Sequence, residues 1–225
     1  MSQPRLSKLN IWARHEQRVL KIFIEALTIL EAKAELSLSE FNLNRELYFC
    51  LLEANRKMGK EGFVYAPTSE AKNPPDPDDE QRTVRENKIP DFYWGYLDDM
   101  EPDPRRSSRN FYIECKRLGK PPRRDWILNK NYVHHGICRF ITKEHGYAQG
   151  EQSSAMVGYV QSMELDDILR EVNTTAMSVS VPKIEKPAKG WKIKGVSQLQ
   201  HKINRPFPIT PFYLWHLWID IRRTK

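Results

Sequence analysis

The run Phe111-Tyr112-Ile113-Glu114-Cys115-Lys116 constrains this chain more than any other stretch. Successive side chains of a strand point to opposite faces. Phe111, Ile113 and Cys115 therefore share one face, which is apolar and requires a core. Tyr112, Glu114 and Lys116 share the other, where a carboxylate sits two residues from an ammonium. Upstream, Pro90-Asp91 opens a second apolar run, Ile89–Leu97, in which proline suits the first position of a strand. Two neighbouring strands would bring Asp91, Glu114 and Lys116 to one sheet edge.

The surrounding elements follow from periodicity and punctuation. Residues 10–35 read as a helix, with Val19, Phe23, Ala26, Leu27, Leu30 and Ala34 at three/four spacing. Ser39 is an N-cap and Glu40 a favourable first-turn acid for a second helix reaching Met58. Its inward stripe is Leu43, Leu47, Cys50, Leu51 and Ala54, with Glu46 at the margin, where it could lean over a sheet. Residues 62–66 read as a short strand and 67–80 as a Pro/Asp/Asn-rich loop. Asp98–Arg109 reads as a hairpin loop, Asp125 to Ile141 as one helix, Ser154–Met163 as a buried strand and Glu164–Val172 as a short helix. Trp191–Val196 and Phe212–Ile221 complete the reading as strands. The class is α+β with an α/β core: a mixed sheet flanked by helices. It has an N-terminal helical extension (1–37), a core (38–180) and a basic C-terminal β extension packing on it (181–225).

Charge is unevenly spread within a net +7. Glu70 to Asp103 holds eleven acidic and four basic residues, whereas Lys116 to His145 holds eight basic and two acidic. The tail from Lys183 to Lys225 holds ten basic and two acidic. The acidic segment contains Asp91 and the basic segment begins at Lys116. Carboxylates beside a cationic track suit a hard divalent cation and a phosphodiester. The three cysteines are widely spaced, which argues against a disulfide scaffold or zinc site and fits a reducing, cytoplasmic location. The N-terminus lacks a signal-peptide pattern. The apolar stretches Leu20–Leu30 and Phe212–Ile221 are short and interrupted by polar groups, so no membrane association is expected. His134 and His135 are adjacent and diverge too far on a helix to share a metal. No glycine-rich phosphate loop exists. Trp94, Trp126, Trp215 and Trp218 read as core residues by type.

The order of helix with an acid, strand, strand opening Pro90-Asp91, strand ending Glu114-Cys115-Lys116, helix and strand resembles the PD-(D/E)XK nuclease superfamily, which has the restriction-endonuclease-like fold. The resemblance covers about residues 38–163 and leaves both ends unexplained. It implies Mg²⁺, with Mn²⁺ substituting, held by Asp91, Glu114 and the main-chain carbonyl of Cys115. It gives Lys116 the task of assisting the attacking water, and Glu46 that of the helix acid some members add. The implied activity is a metal-dependent DNA endonuclease of a restriction or phage-defence system. Arg117, Lys120, Arg123 and Arg124 would contact backbone phosphates, with Arg139 and Gln161 as further candidates. A nuclease centre without a reader module also implies a homodimer or a partner protein for targeting. Two alternatives stand beside this reading: a catalytically inactive subunit that binds nucleic acid or a partner on the same fold, and an unrelated α+β enzyme of small substrates.

Overall fold

The structure, a computed structural model, describes residues 4–73, 78–192 and 194–222. Residues 74–77 of the loop 67–80, Ile193 of the expected strand 191–196, and the terminal residues 223–225 lie outside the described residues. In chain order the elements are helix α1 (Pro4–Glu31), helix α2 (Glu40–Lys57), strand β1 (Thr68–Ser69), helix α3 (Arg82–Glu86), strand β2 (Phe92–Leu97) and strand β3 (Ser108–Leu118). Helix α4 (Leu128–His134), strand β4 (Ser153–Val160), helix α5 (Leu165–Ser178), strand β5 (Val196–Ile203) and strand β6 (Phe212–Asp220) follow.

The strands form one mixed sheet in the order β1-β2-β3-β4-β6-β5. β1, β2 and β3 run antiparallel; β3, β4 and β6 are parallel; β5 returns antiparallel to β6. The sheet is covered on both faces, as a parallel centre requires. On one face Phe111, Ile113 and Cys115 pack with Phe23, Leu27 and Leu30 of α1 and Leu43, Leu47 and Leu51 of α2. On the other, Tyr112 and Leu118 pack with Tyr132 and Val133 of α4 and Ile168 and Val172 of α5. The alternation read in the 111–116 run is therefore realised, and α+β with flanking helices is the observed class. Each fully buried side chain of this size contributes roughly 1.5–3 kcal/mol.

Several boundaries differ from the sequence reading. Residues 62–66 form no strand, because Asn55 at the end of α2 captures Phe63 through both main-chain groups, at 2.7 Å and 2.9 Å. The expected helix 125–141 is broken. α4 ends at His134, and a 3₁₀ turn follows at Ile137–Phe140. Gly136 lies between them, so close to β4 that a Cβ there would meet Met156 Cε and Tyr132 O at 2.3 Å. β5 starts where the expected strand 191–196 ends, because its outward residues Gln198, Gln200 and Lys202 mask the apolar alternation. The C-terminal segment lies within the sheet: β6 is inserted between β4 and β5.

β5 and β6 also bury two histidines. His201 and His216 have ring centroids 5.5 Å apart, and both are almost wholly enclosed. His201 Nε2 donates to the Pro182 carbonyl at 2.9 Å, and His216 Nδ1 pairs with the Tyr132 hydroxyl at 2.8 Å. His201 Nδ1 and His216 Nε2 have no partner. Burial holds the His201 imidazole down at about 4 and, with the neighbouring His201, pushes His216 well below the ordinary histidine value. Above pH 6.5 neither state carries the proton. Below it, the unfolded chain takes up a proton that the fold refuses, so stability falls as pH drops from about 6.5 to about 4. For His201 this amounts to roughly 3 kcal/mol at about 1.36 kcal/mol per unit. In urea unfolding between pH 7.5 and 4, His201→Gln should lose about 3 kcal/mol less than the wild type. An equal loss in both would place the acid sensitivity elsewhere.

Candidate active site

The carboxyl ends of parallel strands are where ligands collect in open α/β sheets, and the candidate residues lie at that end of β3. Lys116 is their centre. Its Nζ stands 2.8 Å from Glu114 Oε1, 2.8 Å from Glu40 Oε1, 2.8 Å from the Cys115 carbonyl oxygen and 3.9 Å from Asp91 Oδ2. Glu114 is 0% exposed and Lys116 is 8% exposed. Asp91 lies just before β2. Its Oδ2 accepts the Cys115 main-chain N–H at 2.6 Å, and its Oδ1 accepts Asn44 Nδ2 at 3.1 Å. Asn44 accepts in turn from the buried Tyr159 hydroxyl at 3.0 Å. A chain of hydrogen bonds thus fixes Asp91 between α2 and two strands.

Burial, and then the charge of Glu114, push the Asp91 carboxyl well above its usual range. Burial alone would lower the Lys116 ammonium; the carboxylates of Glu114, Asp91 and Glu40 outweigh it and hold the group above its ordinary value. Lys116 is therefore a fixed cation. Arg139, from the 3₁₀ turn after α4, donates a second charged hydrogen bond to Glu114 Oε1 at 2.6 Å. Glu114 Oε2 is buried with no partner.

The structure thus brings together Asp91, Glu114, Lys116 and the Cys115 carbonyl. It does not bring Glu46. That carboxylate pairs with Lys33, two residues past the end of α1, at 2.6 Å. The helix acid at the site is Glu40. Six residues on a helix turn about 600°, so Glu40 and Glu46 lie about 120° apart and only one faces β3. Glu40 is the first residue of α2, whose start Ser39 fixes by accepting the Asn42 N–H at 3.3 Å. A first-turn acid is ordinarily explained by the helix dipole alone, so nothing in its spacing singles it out. Asn44 escapes sequence reasoning for a similar reason: it sits inside the apolar stripe of α2, and only its partners reveal its role.

The basic residues divide. Arg117 and Gln161 both reach the Leu38 carbonyl just before α2, at 3.5 Å and 2.7 Å. Lys120, Arg123 and Arg124 are exposed on the loop after β3. Arg139 is turned inward to Glu114, where it neutralises a carboxylate. Trp126, expected in the core, is 43% exposed on the same loop as Arg123 and Arg124. A groove of about 800 Å³ lies elsewhere, lined by Arg85, Arg109, Tyr112, Lys143 and Glu151 among others, and includes none of Asp91, Glu114 and Lys116.

Among the described residues, no group of three or more His, Cys, Asp or Glu side chains could hold a metal ion as arranged. The oxygens instead surround an ammonium. Their chemistry still suits a hard cation: carboxylate oxygens of Asp91 and Glu114 and the Cys115 carbonyl oxygen all face one positive centre. The buried, unpartnered Glu114 Oε2 leaves acceptor capacity unused. Residues present and group fit, with Lys116 and Arg139 as the side chains that would have to give way.

Comparison with family models, curated proteins and solved structures returns no match. Among the described residues no helix is long and apolar enough to cross a membrane.

Removing one partner of a buried charge cluster leaves the others uncompensated, at a cost of about 3–5 kcal/mol. Lys116→Met should lose stability on that scale in chemical denaturation at pH 7, and adding Glu114→Gln should recover part of it. A single variant as stable as the wild type would show that Lys116 is not what holds the carboxylates.

Proposed function

We propose that this protein is a metal-dependent DNA endonuclease. The carrying observation is the convergence of Asp91, Glu114 and the Cys115 carbonyl on one cationic point at the carboxyl end of β3. The basic loop after β3 supports it with exposed Lys120, Arg123 and Arg124, which suit contacts to backbone phosphates.

Hydrolysis of a phosphodiester forms a bond from a water oxygen to phosphorus and breaks the bond to the leaving sugar oxygen; the proton lost by the water goes to solvent, and the leaving oxygen takes one up to become a hydroxyl. Mg²⁺ or Mn²⁺ held by Asp91, Glu114 and the Cys115 carbonyl would polarise the phosphoryl oxygen and make the water more acidic. Asp91 is pre-oriented for this by Asn44 and the Cys115 N–H. In this structure Lys116 is held protonated by its carboxylate neighbours, which favours an orienting and charge-stabilising role over that of a base. It orients that water and stabilises the negative charge that grows on the phosphoryl oxygens. Glu40, about a third exposed at the mouth, holds the Lys116 ammonium in place. A role in a restriction or defence system, with a second copy or a partner protein supplying the target, extends this proposal.

A second reading has its own observation: Lys116 and Arg139 already neutralise Glu114, as they would in a binding subunit without catalysis. Cleavage decides between the two. Duplex or single-stranded DNA should be cut with Mg²⁺ or Mn²⁺, stop being cut with excess EDTA, and be bound without turnover in Ca²⁺. Asp91→Ala and Glu114→Ala should abolish cutting. Glu40→Gln should slow it more than Glu46→Gln, which breaks a partly exposed ion pair and leaves the rate near wild type. Cutting in EDTA, or by Asp91→Ala at the wild-type rate, sinks the proposal.

Charge reversal at Arg123 and Arg124 should weaken binding to every DNA sequence alike and lower the salt slope by about 2, close to 0.9 per lost phosphate contact. An unchanged slope in a salt titration would place the loop off the DNA path.

A further inference from the structure

We infer that the outer face of α2 is a docking strip for an unpaired nucleic-acid strand, and hence that the site acts at single-stranded or branched substrates. This deepens the nuclease reading and rests on it for the word substrate. The strip itself stands on geometry. Phe41, Arg45, Tyr48, Phe49, Leu52 and Arg56 fall within about 100° of helix surface at about 100° per residue. Phe41 is 63% exposed, Phe49 54% and Leu52 38%. Tyr48 is half-buried and meets the Phe49 ring at 5.9 Å, edge to face. A solvated helix face does not place two phenylalanines and a leucine outward without a use for them.

Charge selects the occupant. The two cations of the strip are arginines, and neither Arg45 nor Arg56 makes a side-chain ion pair or hydrogen bond among the described residues. No acidic residue falls within the strip: Glu46 and Glu53 lie on the flank, tied to Lys33 and Lys57. Aromatic faces alternating with unpaired guanidinium groups match a chain of bases and phosphates. A second copy of α2 laid on this face would bring four arginines together with no acid between them, which disfavours self-association. A duplex keeps its base faces stacked inside, so the exposed rings find partners only on unpaired bases.

Continuity selects the direction. Phe41 follows Glu40, whose carboxylate touches Lys116 Nζ at 2.8 Å. Leu38, 47% exposed just before the helix, receives Gln161 and Arg117 on its carbonyl. From Phe41 to Arg56 the strip runs about 22 Å at about 1.5 Å per residue, leading away from the candidate site. A strand whose phosphate lies at Lys116 could therefore pass Glu40, whose charge Lys116 offsets at 2.8 Å, and continue along the aromatic and positive face of α2.

The test is fluorescence anisotropy with a fluorescein-labelled twenty-nucleotide thymidine strand and a blunt duplex of equal length, in Ca²⁺ to prevent turnover. Wild-type protein should bind the single strand. Phe41→Ser with Phe49→Ser should weaken single-strand binding at least ~10-fold while changing duplex binding less than about twofold, since stacking acts only on unpaired bases. Arg45→Gln with Arg56→Gln should lower the single-strand salt slope by about 1.4, from roughly 0.7 per phosphate. Thermal melting of both variants should match the wild type, because none of the four side chains is buried. Unchanged single-strand affinity in the phenylalanine variant, or an unchanged slope in the arginine variant, overturns the inference. So does a fall in oligomeric mass on light scattering of the phenylalanine variant, which would make the face a contact between copies. Metal-dependent duplex cleavage by a protein that does not bind the single strand would overturn this inference and leave the nuclease reading standing. Strand binding without cleavage in any metal would do the reverse.

Discussion

Parallel strands cannot be joined by tight turns, and three of them, β3, β4 and β6, occupy the middle of this sheet. The connections between them cross one face, where α4 and α5 lie, and α1 and α2 cover the other, so the strands carry apolar side chains on both sides. β4 is the clearest case, with every residue from Ser153 to Val160 buried. β3 follows the same rule as far as Ile113 and then departs from it. Glu114 and Lys116 carry full charges in positions where the sheet has otherwise left no room for water. The fold tolerates them because β3 approaches its carboxyl end there, where the cover of helices gives way to the start of α2 and the loop after α4.

The charges in that corner are mutually dependent. Asp91 and Glu114 raise one another's cost, while Lys116 and Arg139 offset it at 3.9 Å, 2.8 Å and 2.6 Å. Buried ion clusters of this kind are poor devices for stability alone, since apolar replacements of similar volume do as well or better. A perturbed carboxyl such as that of Asp91 and an enclosed lysine at the end of a sheet are more often found where chemistry is done. The His201–His216 pair is the contrast. It is equally buried, but its partners are a carbonyl and a tyrosine hydroxyl, and among the described residues it has no charged neighbour to pair with.

What could be read from the sequence was whatever depends on local period. The two faces of 111–116, the cap at Ser39, the stripe of α2 and the strand 212–221 all rest on spacing within one element, and each is found where expected. What could not be read depends on how elements meet. Whether Glu40 or Glu46 faces β3 is a rotation of α2 about its own axis, fixed by Leu43, Leu47 and Leu51 packing on the sheet. The break after α4 comes from Gly136 lying against β4, a contact invisible from the helical period of 125–141. β5 escaped because an edge strand shows water every second residue and so reads as polar. The role of Asn44 has no local signal at all, since its partners lie 47 and 115 positions away.

The division between what is fixed and what can move at the site has a functional consequence. Asp91 is held by two protein donors on separate oxygens, and Glu114 is enclosed on a central strand, so turning either one costs buried hydrogen bonds or packing. Their two cationic partners are the long, jointed side chains of Lys116 and Arg139, with Arg139 about a quarter exposed. A carboxylate has about four lone-pair positions. On Glu114 both cationic groups crowd Oε1, while Oε2 has no partner. The acids are therefore preorganised, and of the two cations Arg139 is the more exposed, so under the proposed function an incoming cation would meet a fixed anionic frame. Under the proposed function, Arg139 released from Glu114 would offer its guanidinium to a phosphate.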